Sequence, residues 1–199
     1  MCPKVTKNGS SLQIILPKSV CASAGIEAGE ILNVMTDGST ISVVKPMVSL
    51  SSDPPEKSQT IFTIGYESRD INKFIARLKA HGVRQVIDVR EKPMSRKKGF
   101  SKTALRERLK EDDIEYIHMP KLGSPSDIRH EYKNGGSEPS FFEKYRSYLR
   151  TVPEEVDILD EYASCLPSAL MCFELSFVHC HRKIIAKEME NLGYSVVHL

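Results

Sequence analysis

Tryptophan is absent from the 199 residues, which says little about fold. Other absences exclude more. No apolar run approaches the ~20 residues that span a membrane, and the opening Met1-Cys-Pro-Lys4 lacks the hydrophobic region of a secretory signal. There is no Cys-x-x-Cys pair, so the commonest zinc and dithiol spacings are missing. The five cysteines are odd in number and irregularly spaced, which argues against a disulfide framework and for the reducing environment of the cytoplasm. An excess of one charge is also missing. With 28 basic and 26 acidic residues the net charge is +2, too small to attract a polyanion, so any nucleic-acid contact must come from local clusters. No internal repeat or long low-complexity tract stands out, and 40% hydrophobic with 27% charged residues is ordinary for a globular chain.

What is present divides into two modules. Residues 47–59 read Met-Val-Ser-Leu-Ser-Ser-Asp-Pro-Pro-Glu-Lys-Ser-Gln, a Ser/Pro-rich stretch typical of a linker. Residues 1–46 carry a strand-like Lys4–Lys7, the hairpin signal Asn8-Gly9, and a second strand over Ser11–Leu16. Pro17 opens a short helix over Lys18–Ala24, closed by Gly25. Glu30–Thr36 and Ser39–Val44 follow as strands around the Asp37-Gly38 turn. A ββαββ unit of this size buries little surface, so dimerisation is expected.

The run from Lys4 to Pro17, with Ala24-Gly25-Ile26, Glu27-Ala-Gly-Glu30 and the Asp37-Gly38 turn, resembles the SpoVT–AbrB swapped-hairpin family. The resemblance implies an intertwined homodimer whose hairpins form one barrel, often with a basic DNA-binding face. Lys4, Lys7 and Lys18 would then supply phosphate contacts. Many DNA-binding members place arginines in and near the second strand. Ser10–Pro17 contains none, so a purely dimerising module stands as the alternative.

Residues 60–199 alternate strand and helix signals. Strands are expected at Thr60–Gly65, Gln85–Arg90, Glu115–Met119, Ala169–Phe173 and Tyr194–Leu199. Helices are expected at Ile71–His81, after Ser101 as its cap, and at Ser140–Arg150, Glu154–Cys165 and Lys183–Asn191. Repeated β-α units predict an α/β fold, a mostly parallel sheet with helices on both faces. The polar stretch Arg129–Pro139, with Gly135-Gly136, reads as a lid or surface excursion.

In such sheets ligands bind beyond the carboxyl ends of the strands. Four strand ends are polar here: Gly65-Tyr66-Glu67, Asp88-Val-Arg90, His118 with Lys121, and Cys172-Phe-Glu174. Asp88 and Arg90 alternate along one strand and so share a face, either as a structural pair or as part of a site. Nine basic residues lie between Arg90 and Lys110, Arg96 among them. Cys180-His181-Arg182 stands at a helix start, where partial positive charge and basic neighbours favour a thiolate. The plain alternative is a small buried hydrophobe. A metal site from Cys172, Cys180 and a histidine is an open alternative, but His179, Cys180 and His181 are adjacent, which suits tetrahedral chelation poorly, so no metal ligand is assigned and the cofactor stays open.

Thr63-Ile-Gly-Tyr-Glu67, Asp88-Val-Arg90 with Pro93 and Arg96, Phe100-Ser101, Tyr116-Ile-His118 with Leu122-Gly123, and Cys172-Phe-Glu174 leading to Cys180-His181-Arg182 resemble the family known as domain of unknown function 488, over Thr60–Leu199. The resemblance implies an α/β sandwich and supplies no reaction. The segment Leu175-Ser-Phe-Val-His179 is more apolar than the family pattern, consistent with a drier pocket or a partner contact.

The expectation is a cytoplasmic homodimer with an anion-accepting cleft for a phosphate-bearing small molecule, nucleotide or nucleic acid. Cys180 or Cys172 is the candidate nucleophile, and Asp88 or Glu174 the base or orienting acid. Tyr66, Glu67, Arg90, Arg96, His181 and Arg182 would bind the ligand. Two other readings remain open: a DNA-binding regulator that senses a ligand, and an antitoxin-like partner module.

Overall fold

The computed structural model describes residues 5–8, 11–14, 18–27, 32–36, 41–44 and 60–199. The chain divides into two units, residues 1–55 and 56–199. In the first, β1 (Val5–Asn8) pairs antiparallel with β2 (Ser11–Ile14), and β3 (Asn33–Thr36) pairs antiparallel with β4 (Ile41–Val44). Helix α1 (Lys18–Ala24) separates the two hairpins, so the expected ββαββ order is present. Lys7 lies on β1 and Lys18 opens α1. Lys4, the Asn8-Gly9 and Asp37-Gly38 turns and the 47–59 linker fall wholly or partly outside the described residues.

The second unit is a parallel five-stranded sheet. Its strands are β5 (Thr60–Gly65), β6 (Gln85–Asp88), β7 (Glu115–His118), β8 (Ser168–Cys172) and β9 (Ser195–His198), in the order β7-β6-β8-β5-β9. All four pairings are parallel. Every residue in β6 and β8 is buried, and the apolar Ala169–Cys172 run of β8 is continuous for that reason.

Helices cover both faces. On one, α2 (Ile71–Ala80) and α3 (Lys102–Lys110) pack Phe74, Leu78, Leu105 and Leu109 against Ile64, Val86 and Met171. On the other, α5 (Glu138–Leu149), α6 (Pro153–Cys165) and α7 (Arg182–Asn191) pack Tyr145, Leu159 and Ile185 against Ile61, Ile87 and Leu170. From its carboxyl end β8 sends the chain to the face of α7, whereas its neighbours β5 and β6 send theirs to the face of α2 and α3. That reversal puts the end of β8 at the point where open parallel sheets commonly bind their ligands.

Two local expectations need correction. Helix α4 (Ser126–Lys133) runs into the stretch read as a loop from Arg129 and is closed by Asn134 and by Gly135, whose φ of 99° is a conformation that favours glycine. Ser101 stands at the start of α3 without capping it, because its hydroxyl donates to the Ser95 carbonyl at 3.0 Å instead.

Candidate functional site

The chain leaves β8 at Cys172, turns outward through the exposed Phe173 and Leu175, and returns at Cys180. A turn closed by Cys180 N–H donating to the Phe177 carbonyl at 3.1 Å delivers Cys180, His181 and Arg182 into the start of α7. The returning loop lies directly on β5. A Cβ at Gly65 would sit 1.9 Å from the Glu174 carbonyl oxygen, so only glycine lets the two backbones approach this closely. The Tyr66 and Glu67 N–H groups both donate to the Phe173 carbonyl, and the Glu67 carboxylate accepts from Leu175 N–H at 3.2 Å.

Inside this turn four electron-rich side chains meet. Cys172, Glu174, Cys180 and His181 each contribute one donor atom, and these atoms all lie within 4.8 Å of one another. Glu174 Oε2 is 2.9 Å from Cys172 Sγ and 3.2 Å from Cys180 Sγ. His181 Nδ1 is 3.7 Å from Cys180 Sγ and 4.0 Å from Cys172 Sγ. The other ring nitrogen, Nε2, donates to the Val89 carbonyl at 2.9 Å, and the edge of the imidazole packs against Tyr145. Both sulfurs and the imidazole are buried, whereas Glu174 is half-buried and forms the solvent side.

Arg182 is 1% exposed, yet among the described residues no carboxylate lies within ion-pair distance of it. Its Nε donates to Cys180 Sγ at 3.2 Å, and an Nη donates to the backbone carbonyl of Glu174. Burial pushes the Cys180 thiol up, but hydrogen bonding to Cys172 and the charges of His181 and Arg182 bring it well below the usual thiol range. Hydrogen bonding to Cys180, then burial, hold Cys172 well above that range, so the proton stays on Cys172. Burial and the Cys180 charge raise Glu174. Burial lowers His181, and the Cys180 charge more than reverses this.

Asp88, Arg90 and Tyr66 form a second buried network beside the first. Asp88 Oδ1 accepts from Arg90 Nε at 2.8 Å and from Arg90 N–H at 3.1 Å, while Oδ2 accepts from Arg90 Nη2 and from Tyr116 Oη, each at 2.6 Å. Four donors saturate the carboxylate, which leaves Glu174 as the carboxylate facing the thiols. Arg90 also donates to Tyr66 Oη at 2.8 Å and to the Phe100 carbonyl at 2.9 Å. The networks touch through Val89, which lies between Asp88 and Arg90 and whose carbonyl holds His181.

Beyond β6 the basic loop divides. Lys97 is fixed to the Tyr66 and Glu67 carbonyls at 2.7 and 2.5 Å. Lys92, Arg96 and Lys98 are exposed and make no hydrogen bond or ion pair among the described residues.

Residues 70–189, more than half of the chain, match the family described as Domain of unknown function DUF488. The chain belongs to this family. No curated protein and no solved structure matches it. The DUF488 match takes in Asp88, Arg90, Arg96 and the whole Cys172–Arg182 turn. It begins after β5 and ends before β9, a narrower span than the resemblance drawn over 60–199, and it does not extend to residues 1–59.

Three contributors to the DUF488 site were given no role from the sequence. Tyr116 binds Asp88 from β7, a role its place two residues before His118 could have signalled. Tyr145 positions the imidazole from α5 and donates to the Leu122 carbonyl at 2.6 Å. Glu91 ties the β6 loop to α4 through Ser126 Oγ at 2.6 Å and Arg129 Nη2 at 2.5 Å. Nothing local marks the last two.

Proposed function

We propose that the DUF488 domain is a reaction centre for a phosphate-bearing substrate, a nucleotide or a nucleic-acid fragment. The observation that carries this reading is a buried Arg182 guanidinium whose nearest anionic partner is the Cys180 sulfur rather than a carboxylate. A buried cation needs compensation, and here it comes from an electron-rich sulfur in the crevice where parallel sheets bind ligands. Cys180 supplies the electron pair, Glu174 carries protons between the thiols and the crevice, and Arg182 with His181 offsets the charge. The unpaired Lys92, Arg96 and Lys98 leave the strand-end loop positive and give a phosphate its approach.

The test is calorimetric titration of the full chain with a nucleoside monophosphate and with a short single-stranded oligonucleotide, at two salt concentrations. Binding should weaken with salt and fall about tenfold or more when Lys92, Arg96 and Lys98 are replaced together by alanine. Failure of both probes to bind at millimolar concentration removes the proposal.

The hairpin-helix-hairpin order of residues 5–44 supports a second reading, a cytoplasmic DNA-binding homodimer held together by residues 1–46, in which the DUF488 domain senses its ligand without turning it over. Lys4, Lys7 and Lys18 would meet the phosphates. Duplex DNA retarded by the full chain, and released when these three lysines become alanine, would favour it. Nucleotide turnover without DNA binding would count against it.

A further inference from the structure

We infer that Cys172, Cys180, His181 and Glu174 form a binding site for a thiophilic divalent metal ion, zinc by its chemistry. This rests on the reading that the crevice is the functional centre and names the cofactor of that centre. Two sulfurs and an imidazole are the donor set that selects zinc over magnesium or calcium, which take oxygen.

The spacing fits. A tetrahedral zinc ion with bonds of about 2.3 Å to sulfur and about 2.0 Å to nitrogen or oxygen holds its donors roughly 3.3–3.8 Å apart. Four of the six donor pairs run 2.9, 3.2, 3.7 and 4.0 Å and all six lie within 4.8 Å, so shifts of up to about an ångström bring the donors onto one ion.

The imidazole is set for ligation. Its Nε2 donates to the Val89 carbonyl, which leaves Nδ1 to face the sulfurs, and metal-binding histidines are commonly oriented by such a backbone acceptor. Arg182 Nε on Cys180 Sγ supplies the N–H bond that steadies a thiolate ligand. The charges also close. Two thiolates and a carboxylate are balanced by one divalent ion and the Arg182 guanidinium, so the buried cluster becomes neutral as a whole. On binding, the thiols release their remaining protons to solvent.

Burial assigns the roles. Cys172, Cys180 and His181 are 4%, 1% and 5% exposed and form the fixed triad of ligands. Glu174 is half-buried on the solvent side and fills the fourth position, which a phosphoryl oxygen or a water can take over. With the metal bound, Cys180 and Glu174 serve as its ligands in place of the electron-pair and proton-carrying roles they have without it, and the ion would supply Lewis-acid chemistry to the substrate that Lys92, Arg96 and Lys98 draw in.

The full chain, without a histidine tag, should be purified after expression with zinc and its metal measured by plasma mass spectrometry. About one zinc per chain is expected after dialysis against a mild chelator. Cys172→Ser and Cys180→Ser should each retain at least about tenfold less, whereas Cys165→Ser, an exposed cysteine remote in sequence from the cluster, should retain all of it. Cobalt added to the metal-free chain should give thiolate-to-cobalt charge-transfer absorption that disappears in Cys180→Ser. Glu174→Gln, the variant least disruptive to folding, should keep that band and alter the visible cobalt spectrum.

A folded wild-type chain that takes up neither zinc nor cobalt overturns the inference. So does equal metal loss in Cys165→Ser, or a cobalt spectrum indifferent to Glu174→Gln. Nucleotide binding by a chain that takes up no metal would sink this inference while leaving the reaction-centre reading standing.

Discussion

Two arginines enter the interior of this domain on different terms. Arg90 is held bidentately by Asp88, and the pair is 6% and 0% exposed. Burial alone would lower the Arg90 pKa, but the Asp88 carboxylate more than offsets it and the value rises. Arg182 has a sulfur and a carbonyl instead. The contrast separates scaffold from centre: a saturated pair is structural, whereas a buried cation without a carboxylate points to a site completed by something else. Asp88→Asn should therefore act on stability first. It leaves the Arg90 charge buried without its counter-ion, and a loss of about 3–5 kcal/mol is expected, read from urea unfolding followed by circular dichroism. The sequence carried the identities of these residues and their convergence on one sheet edge. It could not carry the partition, because alternation along β6 places Asp88 and Arg90 together without saying that Tyr116 and Phe100 complete their shell. The proposed metal donors were in view as Cys172, Cys180 and a histidine but were set aside for a related reason. Adjacent His179, Cys180 and His181 looked unfit for chelation, yet only two of the three are used, and the other two donors return from the end of β8.

Elements with a local reason to exist were readable. Helix α2 shows why: its apolar stripe of Phe74, Ile75 and Leu78 is buried, and Asp70 caps it by accepting from Lys73 N–H at 2.9 Å. Helix α4 shows the opposite. It buries no residue fully, Pro125 at its N-cap has no side-chain acceptor, and its first N–H is met by Glu91 from the β6 loop at 3.3 Å. A helix capped from a distant segment leaves no trace in its own sequence. The Asp70 cap gives a pH prediction. Its hydrogen bond from Lys73 N–H holds the carboxyl below the ordinary aspartate value. A depressed folded pKa means stabilisation that is present above the unfolded pKa and lost as the pH falls through the folded one. Asp70→Asn keeps an acceptor and removes the titration. The melting temperature of the wild type should exceed that of the variant at neutral pH, and the gap should close on acidification below the ordinary aspartate range.

At the scale of the whole molecule, the alternation of strands and helices between residues 60 and 199 was legible because short β-branched and apolar stretches, most clearly in β5 and β8, alternate with amphipathic helices. Strand order was not, since it depends on crossovers that no local pattern encodes. Sedimentation equilibrium offers the matching prediction: the full chain should behave as a dimer, and residues 56–199 alone as a monomer with the same circular dichroism per residue in its own elements. A monomeric full chain would dismiss the homodimer. The central place of β8, hydrogen-bonded to β5 on one side and β6 on the other, has a kinetic consequence. Amides in such a strand exchange with solvent only when the whole domain opens, whereas the Phe173–His179 turn, held at the end of β5 through Phe173 and Leu175 and to Arg182 through Glu174, needs only a few contacts broken. Cys172 thus belongs to the slowest clock in the domain and Glu174 to a faster one. An incoming ion or substrate meets a centre whose floor is set at folding and whose rim is renewed many times before that floor ever moves.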